Sequence, residues 1–312
     1  MDSLTSWQSS LEMRSKNTAK VYSKAVLLFC REINAKPGDL PGMGERLRDL
    51  LIDYARKKGP AWGTLVVSAV KNWLEFNGVH LPYRFRLGNV PVQREKCPGV
   101  DQVERLLLHA DLKTRAMISL IAFSGVRLET IGNADGTDGL RIGDLPELIV
   151  EGKNIAFNEN PAMLIVRESM SKARHRYFTF IPQRGMDFLL AYLRTRGALR
   201  KSDPLIASKS GGFLKTESIS AAIRKAMKRA ELGHFRPYDL RHFFATRMLL
   251  AEAGGVIPRD YRVFWMGHRG DIEARYTLNK HILPAELVRD MRIKFELAHE
   301  MFFKEGKDAE QT

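Results

Sequence analysis

Arg127, Lys172, Arg241, His268 and Tyr276 are the side chains whose types and order could act together in one reaction. The densest stretches are Phe235-Arg-Pro-Tyr-Asp-Leu-Arg241-His242-Phe-Phe-Ala-Thr and Gly267-His268-Arg-Gly-Asp-Ile-Glu-Ala-Arg-Tyr276-Thr. A phenolic oxygen can attack a phosphodiester if cations gather the charge on the phosphorus oxygens and an acid protonates the departing alkoxide. These segments supply a nucleophile, guanidinium groups, an ammonium and an imidazole. Each residue also has a plain structural reading. Tyr276 could pack a helix, and Arg127 and Arg241 could pair with buried carboxylates. Lys172 could be one solvated charge beside Arg167, Arg174 and Arg176, His268 could cap a turn, and His242 could fill space beside Arg241. Taken singly those readings win; taken jointly they lose, because nothing structural demands this succession of cations ending in a tyrosine.

The elements that must position these groups fall into two regions. Up to residue 87 the apolar residues recur at helical spacing: Val21, Ala25, Leu28 and Phe29; then Leu47, Leu50, Leu51 and Tyr54; then Leu65, Ala69 and Trp73 beside Val66, Val70 and Leu74. Pro37-Gly38, Pro41-Gly42, Gly59-Pro60 and Asn77-Gly78 are the stops. A weaker opening helix falls near Ser6 to Met13. The expectation is a helical domain at 1–87, an extended linker at 88–99 rich in proline and glycine, and a second domain at 100–312.

In the second region Val103, Leu106 and Leu107 begin a helix, and the run from Met117 to Phe123 is apolar on most sides, as a central buried helix would be. Ser124-Gly-Val-Arg127 breaks it. Leu148-Ile-Val150, Met163-Leu-Ile-Val166 and Tyr177-Phe-Thr-Phe-Ile181 read as strands of one small antiparallel sheet, with Lys172 in the connection between the second and third. Pro237 suits the first position of the helix carrying Arg241, and Asp239 its first turn. The predicted helix 218–232 aligns Arg224, Lys225, Lys228 and Arg229 along one face, which suits either phosphates or plain solvent. A last helix from Pro284 carries the stripe Leu287, Met291, Phe295, Ala298 and Phe302, able to pack on its own domain or on a neighbouring copy. The fold class is mainly α with a small antiparallel β-sheet.

Fifty Lys and Arg against 36 Asp and Glu give a formal charge of +14, which favours a polyanionic partner. Nucleic acid ranks above an anionic membrane, since neither end carries a basic tail or an amphipathic anchor. Cys30 and Cys97 lack the spacing of a disulfide framework or a zinc site, and Cys30 sits in an apolar run as a buried small hydrophobe would. No secretion signal and no apolar run of bilayer length are visible, so a reduced cytoplasmic setting is expected. A Gly-rich phosphate loop, a zinc spacing and a paired acidic metal site are also missing from the sequence, so neither cofactor nor metal is called for.

The chain resembles the tyrosine recombinases, the phage-type integrases and their chromosomal relatives. Phe123-Ser-Gly-Val-Arg127 matches their first box, Lys172 the β-hairpin lysine, Tyr238-Asp-Leu-Arg241-His242 the second box, and Met266-Gly-His268 with Tyr276 the third. The resemblance implies a two-domain architecture: a helical core-binding domain that clamps DNA with an α+β catalytic domain. Tyr238, where the family usually has His or Lys, and the stretch Ala274-Arg-Tyr-Thr-Leu-Asn-Lys280 are similar to an archaeal and archaeal-virus branch. Thr130 stands where the family commonly has an acid, and the segment 133–139 lengthens the spacing from Arg127 to Lys172.

By this resemblance Tyr276 attacks a strand to leave a 3′-phosphotyrosyl enzyme. Arg127 and Arg241 hold the non-bridging oxygens, Lys172 protonates the 5′-oxygen, His268 donates to the phosphate and Tyr238 holds it. Arg174 and Arg176 join the α-helical cations Arg224, Lys225, Lys228 and Arg229 as expected DNA contacts. The implied function is a site-specific recombinase or integrase on double-stranded DNA. It would work as a homo-tetramer on paired sites, with a monomer as the free form, in the nucleoid-associated cytoplasm. The competing readings are strand relaxation in the manner of a type IB topoisomerase, and a non-catalytic DNA-binding regulator derived from an integrase.

Overall fold

A computed structural model of the chain describes residues 3–13, 15–81, 97–152 and 154–303. It contains two compact units, Met1–Arg94 and Glu95–Thr312. The expected linker at 88–99 lies outside the described residues except for its last three positions, and the polar tail 304–312 lies outside them altogether.

The first unit comprises α1 (Ser3–Glu12), α2 (Lys16–Glu32), α3 (Gly44–Lys58) and α4 (Pro60–Phe76). Their ends follow the local chemistry. The Ser15 hydroxyl accepts from the Thr18 amide at 3.2 Å to open α2. Gly59, at φ +84°, turns the chain so that Pro60 can occupy the first position of α4. Pro37–Gly42 forms a 3-10 turn between α2 and α3. The core joins Trp7, Phe29, Leu51 and Trp73, with the two indoles edge to face at 5.2 Å. Their N–H groups are satisfied by Asn72 Oδ1 at 2.9 Å and the Pro37 carbonyl at 2.8 Å. The buried stripe of α2 runs through Ala25, Val26, Phe29 and Cys30, so Leu28, expected inside, is 37% exposed. Burial pushes the Cys30 thiol up to about 11, in keeping with an inert small hydrophobe.

The second unit is built around α6 (Leu112–Ser124), preceded by α5 (Val100–Leu108) and followed by the short α7 (Leu128–Ile131). Every residue of α6 from Ala116 onward is buried, because α8 (Gln183–Leu193), α9 (Thr216–Arg229) and α10 (Asp239–Ala253) surround it. Instead of one sheet there are two separate antiparallel hairpins. One pairs β1 (Leu148–Glu151) with β2 (Asn154–Phe157), and the other pairs β3 (Ala162–Val166) with β4 (Tyr177–Ile181). Glu151 and Asn154, in a stretch read from sequence only as a separator, are already paired as the last residue of β1 and the first of β2. The proline-containing segment before β3 starts the second hairpin afresh.

β4 is buried on both faces. Tyr177 and Thr179 point toward the end of α6, where the Thr179 hydroxyl donates to the Ser124 carbonyl at 3.0 Å. Phe178 and Phe180 point the other way, onto α11 (Arg259–Trp265) and α13 (Ala285–Met301). Between those helices lies α12 (Asp271–Leu278). The stripe of α13 packs on its own unit: Met291, Phe295, Ala298 and Phe302 are fully buried, with Phe295 edge-on to Trp265 at 5.0 Å.

Candidate active site

Arg241 projects from the first turn of α10 into the core and is only 2% exposed. Pro237, expected to open this helix, precedes Tyr238, which caps it. Asp239 fixes the turn by accepting from the Arg236 amide at 2.8 Å. The Arg241 guanidinium donates through Nη1 to the Gly125 carbonyl and through Nη2 to the Met266 carbonyl at 2.6 Å. Gly125 is the left-handed cap of α6 and Met266 closes α11. One side chain therefore ties together the ends of two helices, and the two carbonyls offset its desolvation. Burial lowers its pKa from the usual arginine value; the phenols of Tyr177 and Tyr238 oppose this and the charge of Arg127 adds to it.

The glycines on either side are sterically required. At Gly125 (φ +67°) a Cβ would lie 2.4 Å from the Phe244 ring, and at Gly267 (φ +61°) 2.5 Å from the Tyr177 ring. These close approaches bring Arg127, two residues beyond Gly125, and His268, next to Gly267, alongside Arg241.

Arg127 sits in extended backbone at the start of α7, and its Nη1 is buried with no hydrogen-bond partner. The His268 pKa is lowered, first by partial burial of a ring that is otherwise exposed, then by the charges of Arg241, Arg127 and Arg262. The connection between β3 and β4 and the first residue of β4 contribute further polar groups. Ser171 Oγ, both ring nitrogens of His175, Arg176 Nε and the Tyr177 hydroxyl are buried and unpartnered. The Tyr177 phenol lies close enough to Arg241 to favour its charged form without making a well-formed hydrogen bond. Buried polar groups normally find partners. Of these, His175 feels the charge of Arg127 and Tyr177 that of Arg241, and polar groups beside two guanidiniums suit a group with several acceptor oxygens, such as a phosphate.

Lys172 is exposed on that same connection, just past the 3-10 turn Glu168–Met170. The connection is held from below. The Thr130 hydroxyl donates to the Met170 carbonyl at 3.3 Å. Arg167 reaches Asp144 at 3.1 Å, Asp138 at 2.9 Å and the Gly139 carbonyl. Burial disfavours ionisation of Asp138, but hydrogen bonds from Arg167, the Gly139 amide and Arg141 outweigh it and hold the carboxyl at about 2. The segment 133–139 that lengthens the Arg127 to Lys172 spacing thus supplies the acid that braces the Lys172 connection. Thr130 braces it as well, where a carboxylate was the family expectation.

Tyr276 is 4% exposed on α12, edge-on to Phe178 at 5.8 Å and Phe264 at 5.6 Å. Burial raises its pKa, and the Arg176 guanidinium works against that rise. The phenol therefore packs on the Phe178 face of β4, while Arg241 lies by Tyr177 on the other. Arg127, Tyr238, Arg241 and His268 form one electrostatic neighbourhood, Lys172 stands on the adjoining connection, and Tyr276 is tucked behind the strand.

Among the sequence-predicted DNA contacts, Arg174 is exposed at φ +54° and Arg176 is half-buried beside Tyr276. Arg224, Lys225, Lys228 and Arg229 are all exposed on α9, opposite its buried Ile219, Ile223 and Met227. Among the described residues no group of three or more His, Cys, Asp or Glu side chains is placed to hold a metal, and no helix is long and apolar enough to cross a membrane.

Residues 100–255, half of the chain, match the phage integrase family. The chain belongs to that family. The matched stretch contains Arg127, Lys172, Tyr238 and Arg241, whereas His268 and Tyr276 lie beyond it. The tyrosine recombinase XerD of Corynebacterium glutamicum is 28% identical over 174 residues, covering 55% of this chain and 50% of that protein. The chain thus spans about half the length of this curated relative. Among solved structures, a lambda integrase dimer bound to a COC′ core site superposes with a TM-score of 0.56 at 16% identity, covering 86% of this chain and 94% of that one. A lambda integrase tetramer bound to a Holliday junction gives 0.56 at 17% identity, covering 87% and 77%. These likenesses show the integrase fold.

One contact beside the integrase-family boxes escaped the sequence reading. His175 and Glu273 lie 4.0 Å apart, joining the β3–β4 connection to α12. His175 sits in a run of cations that reads as a solvated loop. Arg174 is in left-handed backbone and the next side chain, His175, is buried, and the sequence carries no signal for that beyond the loop itself.

Proposed function

We propose that the chain is a site-specific DNA recombinase that cuts and rejoins strands through a 3′-phosphotyrosyl intermediate at Tyr276. The observation that carries this reading is the buried, unpartnered polar groups of Arg127, His175 and Tyr177 around Arg127 and Arg241, set beside a helix that bears a tyrosine. Arg127 and Arg241 receive the non-bridging oxygens of the scissile phosphate. Their planar, permanently charged forks stabilise charge that builds up in the transition state. His268 and Tyr238 donate to the same phosphate, and Lys172 protonates the departing 5′-oxygen. The ester retains the energy of the cut bond, so a different strand can be joined without ATP.

Double-stranded DNA is the partner, in keeping with the net charge of +14. Exchange between paired duplexes takes place in a homo-tetramer, as the junction-bound lambda integrase tetramer suggests by its fold. The helical region 1–87 serves as a second DNA-binding domain, joined through 88–99 to the catalytic domain at 100–312, and the protein works on the nucleoid in the cytoplasm.

The test uses nicked suicide duplexes cut from DNA that co-purifies with the protein, run on a denaturing gel. Wild type should give a covalent protein–DNA band and Tyr276→Phe none, with gel-shift binding retained. DNA binding without any covalent band would replace this reading with a non-catalytic regulator. Plasmid relaxation without recombinant products would replace it with a topoisomerase.

A further inference from the structure

We propose that His175, oriented by Glu273, is the base that takes the proton of the Tyr276 phenol when a strand is cut. The inference rests on the reading of Tyr276 as nucleophile and supplies a proton acceptor for it. A phenol of ordinary pKa, ~10, attacks slowly at neutral pH unless a neighbour accepts its proton. The proposed roles of the other site groups do not provide one. Lys172 and the guanidiniums are donors, Tyr238 is itself a weakly basic phenol, and His268 beside Arg241 and Arg127 donates to the phosphate.

His175 is 6% exposed and neither ring nitrogen makes a well-formed hydrogen bond, although the Ala173 backbone lies close enough to favour the charged ring. Its Nδ1 lies 4.0 Å from Glu273 Oε1. Glu273 also accepts the Thr277 hydroxyl at 3.1 Å, so α12 fixes the carboxylate. Glu273 precedes Tyr276 by about one helical turn, which places both on the same side of α12. The charged and titratable groups around the imidazole are Glu273 from α12, Arg269 from the turn before it, Arg127 and His268 from the site, and the Tyr177 ring at 5.9 Å. Burial lowers the imidazole pKa, Glu273 and the Ala173 backbone oppose this, and Arg269 and Arg127 reinforce it. The ring is therefore neutral near pH 7 and has one nitrogen able to accept. A carboxylate at the other nitrogen selects the tautomer and stabilises the imidazolium once it forms, the division of labour seen in nucleophile, base and orienting-acid arrangements.

The step balances. With DNA bound, Tyr276 leaves the Phe178 and Phe264 slot, its proton passes to His175 as the bond from Oη to phosphorus forms, the bond from phosphorus to the 5′-oxygen breaks, and that oxygen takes a proton from Lys172. Rejoining reverses each transfer.

Single-turnover cleavage of the nicked substrate by the full chain, followed from pH 6 to 9.5, tests the assignment. His175→Gln should slow covalent-adduct formation about 10²-fold at pH 7. The deficit should shrink as pH rises, with gel-shift affinity unchanged. A 5′-bridging phosphorothiolate, whose thiolate leaves without an acid, should restore Lys172→Ala but not His175→Gln. Added imidazole should restore His175→Ala, which keeps the test open if the glutamine variant misfolds. Glu273→Gln should give a smaller loss with the same pH trend. Wild-type rates in His175→Gln, a deficit independent of pH, or rescue of that variant by the phosphorothiolate would overturn the assignment. Failure of wild type itself to form an adduct would instead overturn the proposed function.

Discussion

Arg241 combines charge and architecture in one side chain. Its guanidinium holds the Gly125 and Met266 carbonyls while lying beside Arg127, so its orientation is set before any substrate arrives. The glycines that allow this close approach should be intolerant of a methyl group. Gly125→Ala and Gly267→Ala each add a left-handed strain and an overlap with an aromatic ring, and should cost about 2–4 kcal/mol in urea unfolding. Gly233→Ala, which meets nothing within 4 Å, should change stability by less than about 0.5 kcal/mol. Arg127, Lys172, Arg241, His268 and Tyr276 can be proposed from the sequence because each occupies a short box with a fixed order. The approach of His175 to Glu273 is not legible there, because it depends on how the β3–β4 connection and α12 pack, which leaves no periodic trace.

At the scale of elements, one group that braces the β3–β4 connection and one on α13 titrate away from their usual values, the first because of hydrogen bonds and the second because of burial. Asp138 braces the connection through Arg167, and its carboxyl is held at about 2. A depressed acid contributes stability above its unfolded value, near 4, and loses it as pH falls through the folded one. Asp138→Asn should therefore lower stability by about 1–2 kcal/mol throughout the neutral range and slow strand cleavage, as measured by urea melts and adduct yield. His299 of α13 is packed among Phe123, Phe302 and Phe303, and burial, with Arg184 nearby, pushes its pKa down to about 3. Its contribution is whole above the unfolded value near 6.5 and declines as pH falls toward 3. Relative to His299→Leu, wild type should lose about 2 kcal/mol between pH 7 and 4.5, read from thermal melts. The helices were legible from their apolar spacing and their glycine and proline stops. The strand 154–157 was not, since four residues beginning with asparagine look like part of a turn. Nor did the α13 stripe reveal whether it packs on its own unit or on a second copy, because an apolar face carries no address.

At the scale of the whole molecule there are two separate hydrophobic cores, one in each compact unit. Unfolding followed by calorimetry should resolve two transitions. Leu51→Ala should shift one and Leu189→Ala the other, each by about 2–5 kcal/mol. The exposed cations of α9 can be weighed by salt dependence: replacing Arg224, Lys225, Lys228 and Arg229 with alanine should reduce the slope of log affinity against log salt by about 1 for each phosphate that is no longer neutralised. An unchanged slope would make that face ordinary solvated surface. The Arg241 bridge also sets the order in which a descendant lineage could drift into inactivity. A copy released from selection for strand exchange can shed its phenol and keep its shape, whereas losing the guanidinium would dismantle the scaffold itself, so silent descendants should retain the arginine long after the tyrosine has gone.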